Sequence, residues 1–252
     1  MNRKIALITG ASRGLGRSAA LKLAAQGTDL IVTWHSQSTE AEGVVQEAQA
    51  LGARAVALQL NVDDSASFAA FATAVREALR THWQRERFDY LLNNAGVGLH
   101  ANFVDTTEAQ FDQMFRIHLK GPFLLTQALL PLMQDGGRIL NVSSGLARFS
   151  MAGYSAYAAM KGGIEVLTRY LALELGHRRI AVNTIAPGAI ATDFGGGTVR
   201  DNAQVNSFIA SQTALGRVGE ADDIGNVMCA LLSDDMGWVN GQRVEVSGGI
   251  HL

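Results

Sequence analysis

The 252-residue chain carries a formal charge of −2, is 48% apolar and only 17% charged. That balance gives no electrostatic reason to expect a nucleic acid or an anionic membrane as partner, and the shortage of charge points to surface hidden in a homo-oligomer. The single cysteine, Cys229, excludes an internal disulfide and suits a reducing compartment.

Taken in chain order, short apolar runs alternate with longer helical patterns. Strands are expected at Ile5–Thr9, Asp29–Trp34, Ala53–Leu60, Asp89–Asn93, Arg138–Val142, Ile180–Ile185 and Gln242–Val246. Helices are expected at about Gly14–Gln26, Thr39–Leu51, Ser65–Leu79, Thr107–Met133, Tyr154–Gly176 and Ala221–Leu232. Strands that are apolar throughout imply a parallel sheet covered on both faces. The alternation implies an α/β fold, one doubly wound Rossmann-type domain over 1–252 with a sheet of about seven strands.

Two stretches resist this pattern. Ala191 to Gly216 reads as irregular, with Gly195-Gly196-Gly197 inside it, and Arg80-Thr81-His82-Trp83-Gln84-Arg85-Glu86-Arg87 reads as a basic, solvated loop. Met1-Asn2-Arg3-Lys4 leads directly into the first strand, leaving no room for a leader peptide. No apolar run reaches the ~18 residues of a membrane span. The expected location is the cytoplasm. Cys229 lies in Val227-Met228-Cys229-Ala230-Leu231-Leu232, a setting for packing rather than reactivity.

Gly10, Gly14 and Gly16 follow the first strand and open the first helix. Their G-x-x-x-G-x-G spacing departs from the G-x-G-x-x-G dinucleotide fingerprint, but the physics is shared. Residues without Cβ let backbone approach a pyrophosphate, and a helix N-terminus offers free N–H groups and a favourable dipole. An ordinary glycine turn would look the same.

Further on, Asn93-Asn94-Ala95-Gly96 ends the fourth strand, and Ser144 ends the apolar run Arg138-Ile139-Leu140-Asn141-Val142-Ser143-Ser144. Tyr157 and Lys161 are four residues apart, one turn on the same helix face. A phenol with an unperturbed pKa of ~10 becomes an effective proton carrier only when a neighbouring cation stabilises its phenolate.

These four elements, in this order and over Ile5 to Gly249, resemble the short-chain dehydrogenase/reductase family. The resemblance implies reversible hydride transfer between a nicotinamide and a carbonyl or secondary alcohol. It makes Tyr157 the proton donor and Ser144 the group that positions the substrate oxygen. Lys161 would lower the Tyr157 pKa and bind the nicotinamide ribose. Tyr154 competes for the acid role but is followed at the same spacing by Ala158 rather than lysine. Ser143 competes with Ser144, and the thirteen-residue spacing to Tyr157 favours Ser144.

The same resemblance distributes the cofactor over the chain. Gly10, Ser12, Arg13, Gly14, Leu15 and Gly16 form the phosphate loop. Asn61 and Val62 lie near the adenine, with Asn61 where an aspartate is usual. Asn93, Ala95 and Gly96 flank the adenosine side and steady the sheet, while Pro187, Gly188, Ile190 and Thr192 hold the carboxamide.

An NAD-specific site would place an acid at the end of strand two. This chain has Thr33-Trp34-His35-Ser36-Gln37 there. Arg13 can supply a cation to a 2′-phosphate, and His35 and Ser36 can add donors, which favours NADP(H) over NAD(H).

His118 stands where the family has an asparagine whose backbone carbonyl holds a water beside the lysine. A carbonyl survives any substitution, and Gly121-Pro122 would still disturb the helix. An imidazole there either joins the proton relay or is a helix histidine with a satisfied hydrogen bond.

No metal site is expected, because His35, His82, His100, His118, His177 and His251 lack paired ligand spacing. Ser144 has no G-x-S-x-G elbow, which argues against a hydrolase.

The tail from Gly216 to Gly249 is most similar to 3-oxoacyl-thioester reductases, so a 3-oxoacyl thioester or another small ketone is the expected substrate. The resemblance also implies a dimer or tetramer and a substrate lid over 191–216. A non-catalytic dinucleotide sensor on the same fold is the competing reading.

Overall fold

Seven apolar segments pair in parallel in the computed structural model, which describes residues 3–252; Met1 and Asn2 lie outside the described residues. They are β1 (Ile5–Ile8), β2 (Asp29–Trp34), β3 (Ala55–Gln59), β4 (Phe88–Asn93), β5 (Met133–Val142), β6 (Ala181–Pro187) and β7 (Arg243–Val246). Their spatial order is β3-β2-β1-β4-β5-β6-β7. The order reverses between β1 and β4, which opens a crevice at their carboxyl ends.

Alternate residues of each strand feed opposite cores, as the pleat requires. Ala6 and Ile8 join Leu30, Val32, Leu92 and Leu140 on one face, where α1 (Gly14–Ala25), α2 (Ser38–Ala50) and α9 (Ala221–Leu232) pack. Ile5 and Leu7 join Ile31, Leu91, Ile139 and Val182 on the other, under α3 (Phe68–Ala78), α5 (Gly121–Leu129) and α6 (Ser155–Glu174). Cys229 is buried in the first of these cores.

Three expectations are corrected. The helix expected over 107–133 is α4 (Glu108–Phe115), a π-helical turn at Arg116–Lys120, α5, and a 3-10 turn at Leu130–Leu132, after which Met133 begins β5. Pro122 has no N–H for the His118 carbonyl four residues back, and the Gly121 N–H reaches the Arg116 carbonyl, five back.

The stretch 191–216 is irregular only in part. Gly195 (φ +62°), Gly196 (φ +75°) and Gly197 (φ +76°) form a turn in the left-handed region, and α7 (Thr198–Asp201) and α8 (Ala203–Ser211) follow. Asn202 caps α8, its side chain accepting from the backbone N–H groups of Gln204 (3.0 Å) and Val205 (3.1 Å).

The basic segment 80–87 is not a solvated loop throughout. Leu79–Trp83 forms a π-helical turn that buries Trp83, whose Nε1 donates to the buried Asp29 carboxylate at 2.8 Å. Arg85 donates to buried Asp89 at 3.0 Å. A mixture of charge with one aromatic hides a buried anchor from a compositional reading.

Candidate active site

The loops after β1, β4, β5 and β6 all lie at the carboxyl edge of the sheet and supply most of the expected site residues. In the first loop Gly10 (φ +64°) and Gly14 (φ +57°) occupy the left-handed region that favours glycine. Gly16 is required for contact rather than dihedral: a Cβ there would lie 2.5 Å from the Gly10 carbonyl oxygen and 2.6 Å from Asn94 Nδ2. Helix α1 starts with no side-chain cap and no acid in its first turn, leaving its N–H groups open to an anion. Ser12 and Leu15 are partly exposed on this loop, and Arg13 is exposed.

The loop after β4 is tied to the glycine loop. Thr9 Oγ1 accepts from the backbone N–H groups of Asn94 (2.9 Å) and Ala95 (3.0 Å), while Asn94 Nδ2 donates to the Thr9 (2.9 Å) and Gly10 (3.0 Å) carbonyls. Thr33 accepts from the Gly10 N–H at 3.2 Å. Sequence reasoning missed Thr9, Thr33 and Asn94. The repeated Asn93-Asn94 was the available signal, but the pleat turns the two side chains to different tasks.

Asn93 points into the sheet, away from the expected nucleotide groove. Its Nδ2 donates to Asn141 Oδ1 (2.8 Å) and Thr126 Oγ1 (3.1 Å), and Asn141 continues to Thr168 (2.9 Å). This buried polar ladder joins β4, β5 and α6.

At the far end of the crevice His35 and Ser36 are exposed beyond β2. His35 and Asn61 line a cavity of about 390 Å3 with Gln59 and Asp64. Asn61 Oδ1 accepts from the Asp63 N–H (3.1 Å), and Asp64 Oδ1 accepts from the Ala66 N–H (3.1 Å), so both acceptors serve local turns. The Val62 carbonyl packs where a Cβ on Gly121 would stand, joining this wall to the π turn.

After β6, Gly188 passes Ser247 so closely that a Cβ would meet its Cα at 2.9 Å. Ile190 bridges to Gly219, and the buried Thr192 lies over the glycine loop, where a Cβ on Gly14 would meet it at 3.8 Å. The phosphate loop and the segment from Pro187 to Thr192 therefore face one another.

Ser144 follows β5, and Tyr157 and Lys161 lie on α6. Ser144 Oγ accepts from the Leu146 N–H at 3.2 Å and also bonds the Tyr157 phenol. Tyr157 is buried on α6, and burial raises its phenol above the ordinary range, with a hydrogen bond to Ser144 acting in the opposite direction. Lys161 Nζ lies 5.4 Å from the Tyr157 ring centroid and donates to the Val142 carbonyl at 2.7 Å. Burial pushes its pKa down to about 7.

His118 sits on the π turn beside them, edge-on to Tyr157 with ring centroids 5.0 Å apart. Nε2 is 2.8 Å from the Val97 carbonyl and must carry the proton there, since a carbonyl only accepts. Nδ1 is buried without a partner. Burial, aided by the Lys161 charge, lowers the imidazole pKa to about 3, so it is neutral at physiological pH. Gly96 faces it, because a Cβ would lie 2.7 Å from His118 Cε1.

Tyr154 stacks on His100 at 5.1 Å and lines a second cavity of about 270 Å3 with Phe103, Leu146 and Met151. Ser143 turns from the crevice toward Glu165. Among the described residues no three His, Cys, Asp or Glu side chains cluster as a metal site, and no helix is long and apolar enough to cross a membrane.

A family model described as enoyl-(acyl carrier protein) reductase matches residues 10–251. The chain belongs to the short-chain dehydrogenase/reductase family. Like its relatives there, it is an oxidoreductase acting on CH–OH and C=O groups.

It is 36% identical to the 3-oxoacyl-[acyl-carrier-protein] reductase FabG of Staphylococcus aureus, over 99% of this chain and 98% of that one. It is 33% identical to the tetrahydroxynaphthalene reductase PfmaG of Pestalotiopsis fici, covering 98% and 91%. Among solved structures, the angucycline C-6 ketoreductase LanV with bound NADP superposes with a TM-score of 0.92 at 33% identity, covering 98% of this chain and 95% of that one.

Proposed function

We propose that the protein is an NADP(H)-dependent ketoreductase whose reaction runs through Ser144, Tyr157 and Lys161. The observation that carries this is the seating of a serine hydroxyl bonded to a buried phenol, with a buried amine beside them, at the edge that also bears the open helix N-terminus. Gly10 and Gly16 let the loop pack tightly against Ala95 and Asn94, which leaves the uncapped N-terminus of α1 presented at the crevice and fits a dinucleotide pyrophosphate.

Gly10, Ser12, Arg13, Gly14, Leu15 and Gly16 would hold the pyrophosphate, with Asn61, Val62, Ala95 and Gly96 along the adenosine. Arg13, His35 and Ser36 would meet the 2′-phosphate. Pro187, Gly188, Ile190 and Thr192 would hold the carboxamide, and Lys161 and Tyr157 the adjoining ribose. When bound there, the nicotinamide supplies the hydride.

The chain's own residues manage the charge that appears on the substrate oxygen. Ser144 donates its O–H to that oxygen. Tyr157 delivers the proton from its phenol, and Lys161 stabilises the phenolate left behind. His118, neutral and bonded to Val97, holds the Tyr157 ring and the Gly96 turn in register rather than carrying a proton itself.

For the substrate, the aromatic and thioether lining from Phe103, Met151 and Tyr154, with Phe194 at 6.0 Å from Tyr157, favours a flat cyclic ketone. The naming of two relatives as naphthalene and angucycline reductases supports the same reading. A 3-oxoacyl thioester is the second reading, supported by the likeness to FabG.

A screen of NADPH oxidation against aromatic ketones and 3-oxoacyl thioesters tests both. Turnover of the ring ketones is expected, and turnover of thioesters alone would reverse the preference.

Exposed Phe111, Phe115 and Phe123 on α4–α5, with Val166, Tyr170 and Leu173 on α6, support a homo-oligomer. Light scattering should give a dimer or tetramer.

A further inference from the structure

Behind the proposed catalytic serine runs a chain of charged side chains that the reaction itself does not use. Ser143 Oγ donates to Glu165 Oε1 at 2.7 Å, one helical turn beyond Lys161. Arg243, on the edge strand β7, donates from Nε to the same Glu165 oxygen at 2.6 Å. Its Nη1 donates to Glu245 at 2.9 Å, and its Nη2 to the backbone carbonyl of Ser144 at 3.3 Å.

Glu245 continues the chain. It takes two hydrogen bonds from Arg148, at 2.6 and 2.7 Å, and one from Ser247 at 3.0 Å. Arg148 belongs to the loop that follows Ser144, and its remaining donors hold the Ile250 (2.9 Å) and His251 (3.1 Å) carbonyls.

We infer that Arg243 is a positioning residue for Ser144, coupling the catalytic helix, the substrate loop and the C-terminal segment through one guanidinium. The argument is geometric. Ser144 follows the last residue of β5 and has no strand partner of its own. Its side chain closes the local turn to Leu146 and bonds Tyr157.

From outside that turn Ser144 is held by the Arg243 contact to its carbonyl, while its neighbour Ser143 is held by Glu165, by the Lys161 carbonyl (3.2 Å) and by the Ile185 carbonyl, which accepts the Ser143 N–H at 2.7 Å. A planar fork reaches three acceptors at fixed angles, which an ammonium on a flexible stem cannot reproduce. An exposed ion pair would contribute little, but Glu165 and Arg243 are largely shielded, at 14% and 23% side-chain exposure. Small displacements of a reacting group are expensive: about 1 Å can lower a rate by about a hundredfold.

This role rests on the ketoreductase reading, yet it can be tested without turnover. Arg243→Met, Arg243→Lys and Glu165→Gln are made in the full chain, and amide hydrogen exchange is followed by mass spectrometry. In Arg243→Met, segments 144–151 and 247–252 should exchange about tenfold faster while 5–16 and 88–96 keep their protection. Arg243→Lys should restore less than half of that loss, and Glu165→Gln should show a smaller change in the same direction.

NADPH affinity, read from its fluorescence, should stay within about twofold while kcat falls about tenfold with little change in ketone KM. Unchanged exchange at 144–151, or equal loss of protection throughout the chain, would overturn the inference. Should Arg243→Met fail to fold, Glu165→Gln decides alone, and wild-type exchange at 144–151 would overturn it. A wild-type protein that reduces no ketone would defeat the ketoreductase reading, with the exchange data still deciding this one.

Discussion

The two edges of the sheet are built on opposite rules. At the amino edge, buried acids are fully engaged. Asp29 takes hydrogen bonds from Trp83 Nε1 (2.8 Å), the Arg54 N–H (2.9 Å) and Arg3 (3.3 Å), and Asp89 takes the Ile5 N–H (2.9 Å) and Arg85 (3.0 Å). At the carboxyl edge, groups are left open: the first turn of α1 lacks a cap and His118 Nδ1 has no partner. Unsatisfied polar groups are costly to bury. The amino edge supplies stability, and the carboxyl edge holds its donors ready for a ligand.

The contrast predicts that mutations at the two edges separate rate from stability. The largest effect belongs to Tyr157→Phe, which should lower kcat by about 10² to 10⁴. Its NADPH affinity, titrated by fluorescence, should fall by no more than about tenfold, the loss of one ribose contact. At the opposite edge Trp83→Phe removes the donor to Asp29 and should lower unfolding stability by about 1–3 kcal/mol. Urea denaturation measures that loss, and kcat should not change.

His118 sharpens the comparison through pH. Its pKa is lowered from 6.5 to about 3 in the folded protein, so between those values the unfolded chain binds a proton that the folded one refuses. Stability from this group is complete above 6.5 and is lost as the pH falls toward 3, at up to about 1.4 kcal/mol per pH unit. His118→Asn should flatten that acid limb in denaturation curves taken across the range. The smallest effect is at Arg13: Arg13→Ala should weaken NADPH binding about tenfold and NADH binding clearly less, by calorimetry.

Much of this was legible in the sequence because a parallel sheet writes itself in continuous apolar runs and places its ligands at strand ends. The parallel sheet of seven strands, the glycine turn after β1 and the place of Ser144 at the end of β5 follow from such patterns. The break at His118 was half visible: Pro122 announced a disturbed helix, but not that the turn would widen around the imidazole.

Trp83 was hidden because a single buried aromatic among basic residues leaves no periodic trace. Arg243 and Glu245 were hidden for another reason. Their partners Glu165 and Arg148 are 78 and 97 residues away, a distance no local pattern bridges.

The most direct test of the central claim is isotopic. NADPH carrying deuterium at the transferring position is mixed with a reducible ring ketone and either the wild-type protein or Tyr157→Phe. Deuterium on the new carbinol carbon with the wild type, and no labelled alcohol from a variant that still binds nucleotide, is the predicted result. An unlabelled alcohol, or labelled product formed by Tyr157→Phe at the wild-type rate, would contradict it.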